Sequence, residues 1–185
     1  MKNIIVTTMV VVLTTTALLG QEFLGVKVDG KKETVIAAFK SKGFAPSGEM
    51  SDNVVTMKGV AAGKNIEINI VSTPLTKTVW KFSVYLPKQS NWYSLKAQYE
   101  EYLKLLTEKY GEPTNMYNFF SSPYEEGDGY EMTAVYAEKC HYAAFWKQGY
   151  AINISQWKQV NIVYENDVNS DLNRKEKDQV NKNIF

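Results

Sequence analysis

The stretch KNIEINIVSTPLTKTVWKFSVYL, residues 64–86, decides the fold class. In its first part Ile66, Ile68 and Ile70 alternate with Glu67 and Asn69. In its last part Trp80, Phe82, Val84 and Leu86 alternate with Lys81, Ser83 and Tyr85. A period of two sends successive side chains to opposite faces of a pleated strand, so each segment has one apolar and one polar face. With turn residues between them, the two segments read as antiparallel strands over 64–72 and 77–86, covered on one side only. A further strand over 54–58 fits between Ser51-Asp52-Asn53 and Gly59.

Upstream, FLGVKV is a short extended entry. Asp29-Gly30 then offers a helix cap, and Val35, Ile36 and Phe39 supply one apolar stripe. Gly43 ends that helix, and Phe44 stands where the residue after a glycine stop packs back on it. Downstream, a second helix begins at Ser94: Leu95, Tyr99, Tyr102, Leu103, Leu106 and Tyr110 recur at spacings of three and four, and Gly111 and Pro113 end it. Its buried stripe is expected to be Leu95, Tyr99, Leu103 and Leu106. Segments 116–120, 130–137, 142–147 and 150–164, the last broken near Trp157-Lys158, read as four or five more strands. The polar tail 166–185 has only Val168, Leu172 and Val180 to dock, which predicts a short-lived helix or a frayed end. The expected architecture is a single α+β domain over 21–165, with two helices on one face of a long antiparallel sheet and two halves, 21–88 and 89–165, in the same order of helix, glycine stop and strands.

The first 20 residues stand apart from this pattern. Lys2 precedes a charge-free apolar run from 3 to 21, which reads as a secretory signal peptide; five Thr and the short length argue against a membrane anchor. The whole chain of 185 residues carries a net charge of +1, and removing Lys2 with the signal leaves 20 basic and 20 acidic residues. Such a balance supplies no field for a polyanion, so nucleic acid is not an expected partner. A lone cysteine, Cys140, excludes an intramolecular disulfide, and with His141 the only histidine no zinc site of the usual kind is expected. An exported, periplasmic or secreted protein whose core holds it together unaided is the expectation.

FLGVKVDG followed by a helix and KGF, a long helix closing in YGEP, then EEGDGYE and VNIVYEND, in that order, resemble a group of secreted Bacteroidetes proteins of uncharacterised function. The unit of entry turn, helix and strands is also similar to the β-lactamase inhibitor protein fold and to small outer-membrane assembly lipoproteins. That second resemblance implies a non-enzymatic protein that binds another protein on an open sheet face. The chain departs from both relatives, lacking the inhibitor's disulfides and the lipoprotein's lipidated cysteine.

Candidate chemistry is sparse. Cys140 and His141 are adjacent, and neighbours on a strand point to opposite faces, so they are not expected to form a nucleophile and base. Glu125, Glu126, Asp128 and Glu131 cluster in a glycine-rich loop with oxygen ligands of the kind calcium takes, but without the alternating spacing of a calcium loop, and no metal or other cofactor is expected. As a glycosidase pair these neighbours are poorly placed to keep a fixed separation across a sugar. What remains is an aromatic excess of 12 Tyr, 8 Phe and 4 Trp. Lys81 and Tyr85 share one strand face, as do Asn153 and Trp157. These four residues are the expected partner-binding set, for a protein in the first instance and for a carbohydrate in the second, with a hydrolase built on the loop carboxylates as a third reading.

Overall fold

The computed structural model describes residues 21–182; the expected signal peptide lies outside the described residues. The chain is α+β. A two-residue hairpin, β1 (Glu22–Phe23) and β2 (Val26–Lys27), leads into α1 (Lys32–Lys40) and a meander of β3 (Ala45–Ser51), β4 (Val54–Ala61), β5 (Lys64–Ser72) and β6 (Val79–Tyr85). Next come α2 (Trp92–Tyr110), β7 (Asn115–Phe120), α3 (Glu131–Tyr136), β8 (Cys140–Trp146), β9 (Tyr150–Ser155), β10 (Gln159–Glu165) and α4 (Asp167–Lys182). The last eight strands form one antiparallel sheet in the order β3-β4-β5-β6-β10-β9-β8-β7. Each half supplies a helix and then four strands, with α3 interposed between β7 and β8 in the second, and the final strands of the two halves, β6 and β10, meet at the centre. Correspondingly α1 packs on β5, and α2 on β9 and β10.

The alternation of residues 64–86 becomes the two faces of this sheet. Ile68 lies opposite Met57 and Val84, Val84 opposite Ile162, Ile162 opposite Ile152, and Ile152 opposite Ala144, a continuous apolar row beneath the helices. Phe39 of α1 descends into it against Phe82 at 5.3 Å, with Phe44 at 5.6 Å and Phe23 at 6.5 Å around it. Phe44 holds the place expected after the glycine stop: Gly43 has φ 85°, and the Phe44 amide donates to Phe39 O at 3.1 Å. Its ring also covers Gly59 so closely that a Cβ there would lie 2.5 Å from it.

α2 starts two residues before the expected Ser94, because the Asn91 side chain accepts the Ser94 amide at 2.9 Å and so caps a helix beginning at Trp92. Leu95, Tyr99 and Leu106 are buried as expected, and Leu103 is half-buried at the margin of the stripe. Leu95→Ala should therefore lower the unfolding free energy by about 2–5 kcal/mol, while Leu105→Ala, at a position 51% exposed, should stay within about 0.5 kcal/mol. Urea denaturation of the two variants checks the contrast.

Several expectations are corrected. The described residues contain four helices rather than two. Segment 130–137 is not a strand: Thr133 and Ala134 both donate to Tyr130 O, the adjacent Ala134 and Val135 are buried, and Tyr130 and Tyr136 are 63% and 69% exposed, a helical pattern. Strand β3 has no apolar alternation to announce it; Pro46, Gly48 and two register shifts fit it to the sheet edge. The cap offered by Asp29 is not used, since Lys31 is the N-cap without a side-chain bond and Asp29 Oδ1 instead accepts the Gly30 amide and Asn169 Nδ2.

The tail is an ordered helix of 16 residues, and it does not dock through Val168, which is 77% exposed. Its buried positions are Asn169, Asn173 and Glu176. Asn166 caps it by accepting the Asn169 amide, and Asn169 Nδ2 donates to Val79 O at 2.9 Å. Glu176 accepts the amides of Leu75 and Thr76 at 2.6 and 3.0 Å and the Thr76 hydroxyl at 2.6 Å. The turn between β5 and β6 presents bare donors, so a polar stripe docks where an apolar one would leave them unpaired.

Candidate functional site

The face of the sheet opposite α1 and α2 carries the polar half of the alternation in β5, β6 and β10 and aromatic side chains at the β7 end. Successive pairings place Lys58 opposite Glu67, Glu67 opposite Tyr85, Tyr85 opposite Asn161, Asn161 opposite Asn153, Asn153 opposite Ala143 and Ala143 opposite Tyr117. One register line thus crosses seven strands. Three adjoining depressions follow it, each of roughly 350–430 Å3, sharing Tyr85 between the first two and Asn153 between the last two. The result is a shallow trough across the strands.

Its chemistry changes along its length. At the β4 end Lys58 and Glu67 form an ion pair at 3.2 Å, both well exposed and contributing little to stability. In the middle Asn161 is buried, donates to Asn153 Oδ1 at 3.0 Å, and has a side-chain oxygen with no partner in the protein. That oxygen is itself enclosed, so the polar side chains within a partner's reach at this point are the half-buried Tyr85 and Asn153 that flank it. Beside it Tyr85 is half-buried, and burial holds its phenol above the ordinary value. At the β7 end Tyr117, Phe119 and Phe145 are 47%, 49% and 42% exposed, with Tyr117 edge-on to Phe119 at 6.4 Å and to Phe145 at 6.2 Å.

Of the four expected binding residues, the structure brings three to this trough. Tyr85 and Asn153 flank Asn161 on the register line, and Trp157, 55% exposed in the turn between β9 and β10, stands at the rim. Lys81 faces the same side but lies four residues from Tyr85, about 13 Å along the strand. It pairs opposite Glu165 and Val71, and its ammonium sits 4.5 Å from the centre of the Trp80 ring. Asn161, Tyr117, Phe119 and Phe145 are the residues missed. Asn161 was legible as the outward position between Val160 and Ile162; the others were not, because NMYNFF, and the segment CHYAAFW that holds Phe145, carry apolar residues on both faces.

Cys140 and His141 do lie on opposite faces. Cys140 pairs opposite Phe120, and burial pushes its thiol up to about 12. His141 faces the trough instead, its ring tilted 31° to that of Phe119 at 4.8 Å, with Nε2 2.6 Å from Ser121 Oγ. Among the described residues no carboxylate bonds the other side of the imidazole, so this serine and histidine lack the orienting group of a hydrolytic triad.

The acidic loop uses its carboxylates on itself. Asp128 accepts the amides of Glu125 and Tyr130, and Glu131 accepts that of Gly127. Glu126 ties the loop down through Lys96 Nζ at 2.5 Å, Tyr142 Oη at 2.8 Å and Trp92 Nε1 at 3.3 Å. The bond from Lys96 is the foremost reason its carboxyl is held below the ordinary range. No cluster of three or more His, Cys, Asp or Glu that could hold a metal occurs among the described residues, and none of their helices is long and apolar enough to cross a membrane. No protein-family model, curated protein or solved structure matches the chain.

Proposed function

We propose that the chain is an exported, non-catalytic binding protein that receives a protein partner in the trough on the open face of its sheet. The observation that carries this reading is the register line from Lys58 to Tyr117, with the half-buried Tyr85 and Asn153 about its centre and exposed aromatics at one end. Half-buried polar side chains and rigid tyrosines are what a polypeptide with free amides and apolar side chains would use. A sugar prefers a flat ring platform. The interplanar angles of 67° and 79° within the aromatic group support a protein over a carbohydrate.

Trp157→Ala should change the unfolding free energy by less than about 0.5 kcal/mol, and Tyr85→Ala by about 1 kcal/mol or less. Combined with Asn153→Ala, the two should weaken partner binding by at least about tenfold. The test is affinity capture from the host's own envelope and culture medium with wild-type and triple-variant protein side by side, followed by titration of the recovered partner. A partner held equally by both proteins would exclude the trough, and a glycan array that binds only the wild type would move the reading to carbohydrate.

A further inference from the structure

The two edges of the eight-stranded sheet are built differently. At one, β3 carries Pro46, Gly48 and two register shifts, devices that stop another strand from adding. At the other, β7 reads Asn115-Met116-Tyr117-Asn118-Phe119-Phe120, without charge, proline, glycine or bulge, and the first five of its residues are exposed. An edge so unguarded invites strand addition.

Its free main-chain groups follow from the register. Phe120 lies opposite Cys140, so Ser121 lies opposite Lys139, and the Ser121 amide donates to Lys139 O at 2.8 Å. Directly opposed residues alternate between bonded and non-bonded pairs. Tyr117 and Phe119 therefore turn their main-chain groups to β8, and Met116, Asn118 and Phe120 turn theirs outward.

We infer that β7 is a homodimer interface, in which a second copy pairs antiparallel about a two-fold axis at Asn118. That register alone sets the three outward residues against one another: Asn118 opposite its symmetry mate, and Met116 opposite Phe120 of the second copy. It closes about six main-chain hydrogen bonds. It also places Tyr117 opposite Phe119 of the second copy, twice, in non-bonded positions where side chains approach most closely. Both rings already stand exposed on the trough face, and the strand has no charge to repel its own copy. The two sheets become one, and the troughs meet end to end. The dimer does not depend on what the trough binds.

The test is sedimentation equilibrium on the purified protein over a wide concentration range. Wild type should reach twice the monomer mass. Asn118→Pro removes an outward amide without touching the bonds to β8, so it should weaken association by more than about tenfold while thermal melting of the dilute protein is unchanged. Tyr117→Lys combined with Phe119→Lys should do the same by repulsion, which covers the case that the proline variant misfolds. A monomer at every concentration overturns the inference, as does a dimer that survives both interface variants.

Discussion

Phe39→Ala is expected to lower the unfolding free energy by about 3–5 kcal/mol, among the largest losses any single truncation in this chain should produce. The ring is fully buried and touches Phe23, Phe44 and Phe82, which come from the entry hairpin, the residue after the glycine stop and a central strand. Those parts of the first half are held to one another largely through it. Removing it leaves a cavity whose walls belong to different elements and cannot all collapse inward. Phe39→Leu, which keeps most of the volume, should cost less than half as much. Guanidinium denaturation with a shared slope for all three proteins measures the difference; equal losses for Ala and Leu would show that the site is not a packed junction.

Glu176→Ala is expected to cost about 2–4 kcal/mol and to release α4 from the sheet. The carboxylate, 4% exposed, is the acceptor for two amides and a hydroxyl of the turn between β5 and β6, and its loss would deprive those donors of their charged acceptor in a partly buried junction. Amide exchange should report faster exchange throughout 167–182 with little change in the apolar row of the sheet. A pH dependence follows with a definite sign. Burial alone would raise this carboxyl, but the bonds from Thr76 and Leu75 outweigh it and hold the carboxyl below its ordinary value. Its stabilising contribution is then complete above the unfolded-state carboxylate pKa near 4.3 and is lost as pH falls through the lower folded value. Glu176→Gln should flatten that part of the stability profile. An acid limb as steep in the variant as in wild type would assign it to other carboxylates.

These two residues also mark how far the sequence could be read. Phe39 and the strands over 64–86 were legible because burial on one face repeats at the period of the element, and the period survives any tertiary arrangement. The glycine stop at Gly43 with Phe44 behind it was legible for the same local reason. Glu176 was not. Its partners lie about 100 positions away in a turn, and a polar stripe at helical spacing looks like a solvated face until a row of bare amides is set against it. Residues 130–137 failed differently: Tyr130, Met132, Ala134 and Tyr136 alternate in sequence, yet a turn bonded through Asp128 launches a helix there, and local hydrogen bonding won over pattern.

The candidate site shows the same division. Tyr85, Asn153 and Lys81 were placed on one side of the sheet by alternation alone. Which of them meet depends on register, and register is set by how β6 and β10, 76 residues apart at the opposed pair Tyr85 and Asn161, lie side by side. Lys81 is set apart from the trough by its four-residue spacing from Tyr85 along the same strand. Asn161 is set at its centre by the same pairing, between two residues from different halves of the chain.

The most direct measurement is site-specific photocrosslinking in the native host, with a crosslinking residue at Asn153 in the trough or at Tyr93 on the helix side. A discrete protein adduct is expected from Asn153 and none of the same mass from Tyr93. An adduct from Tyr93 alone, or the same adduct from both positions, would contradict a partner bound on the open face of the sheet.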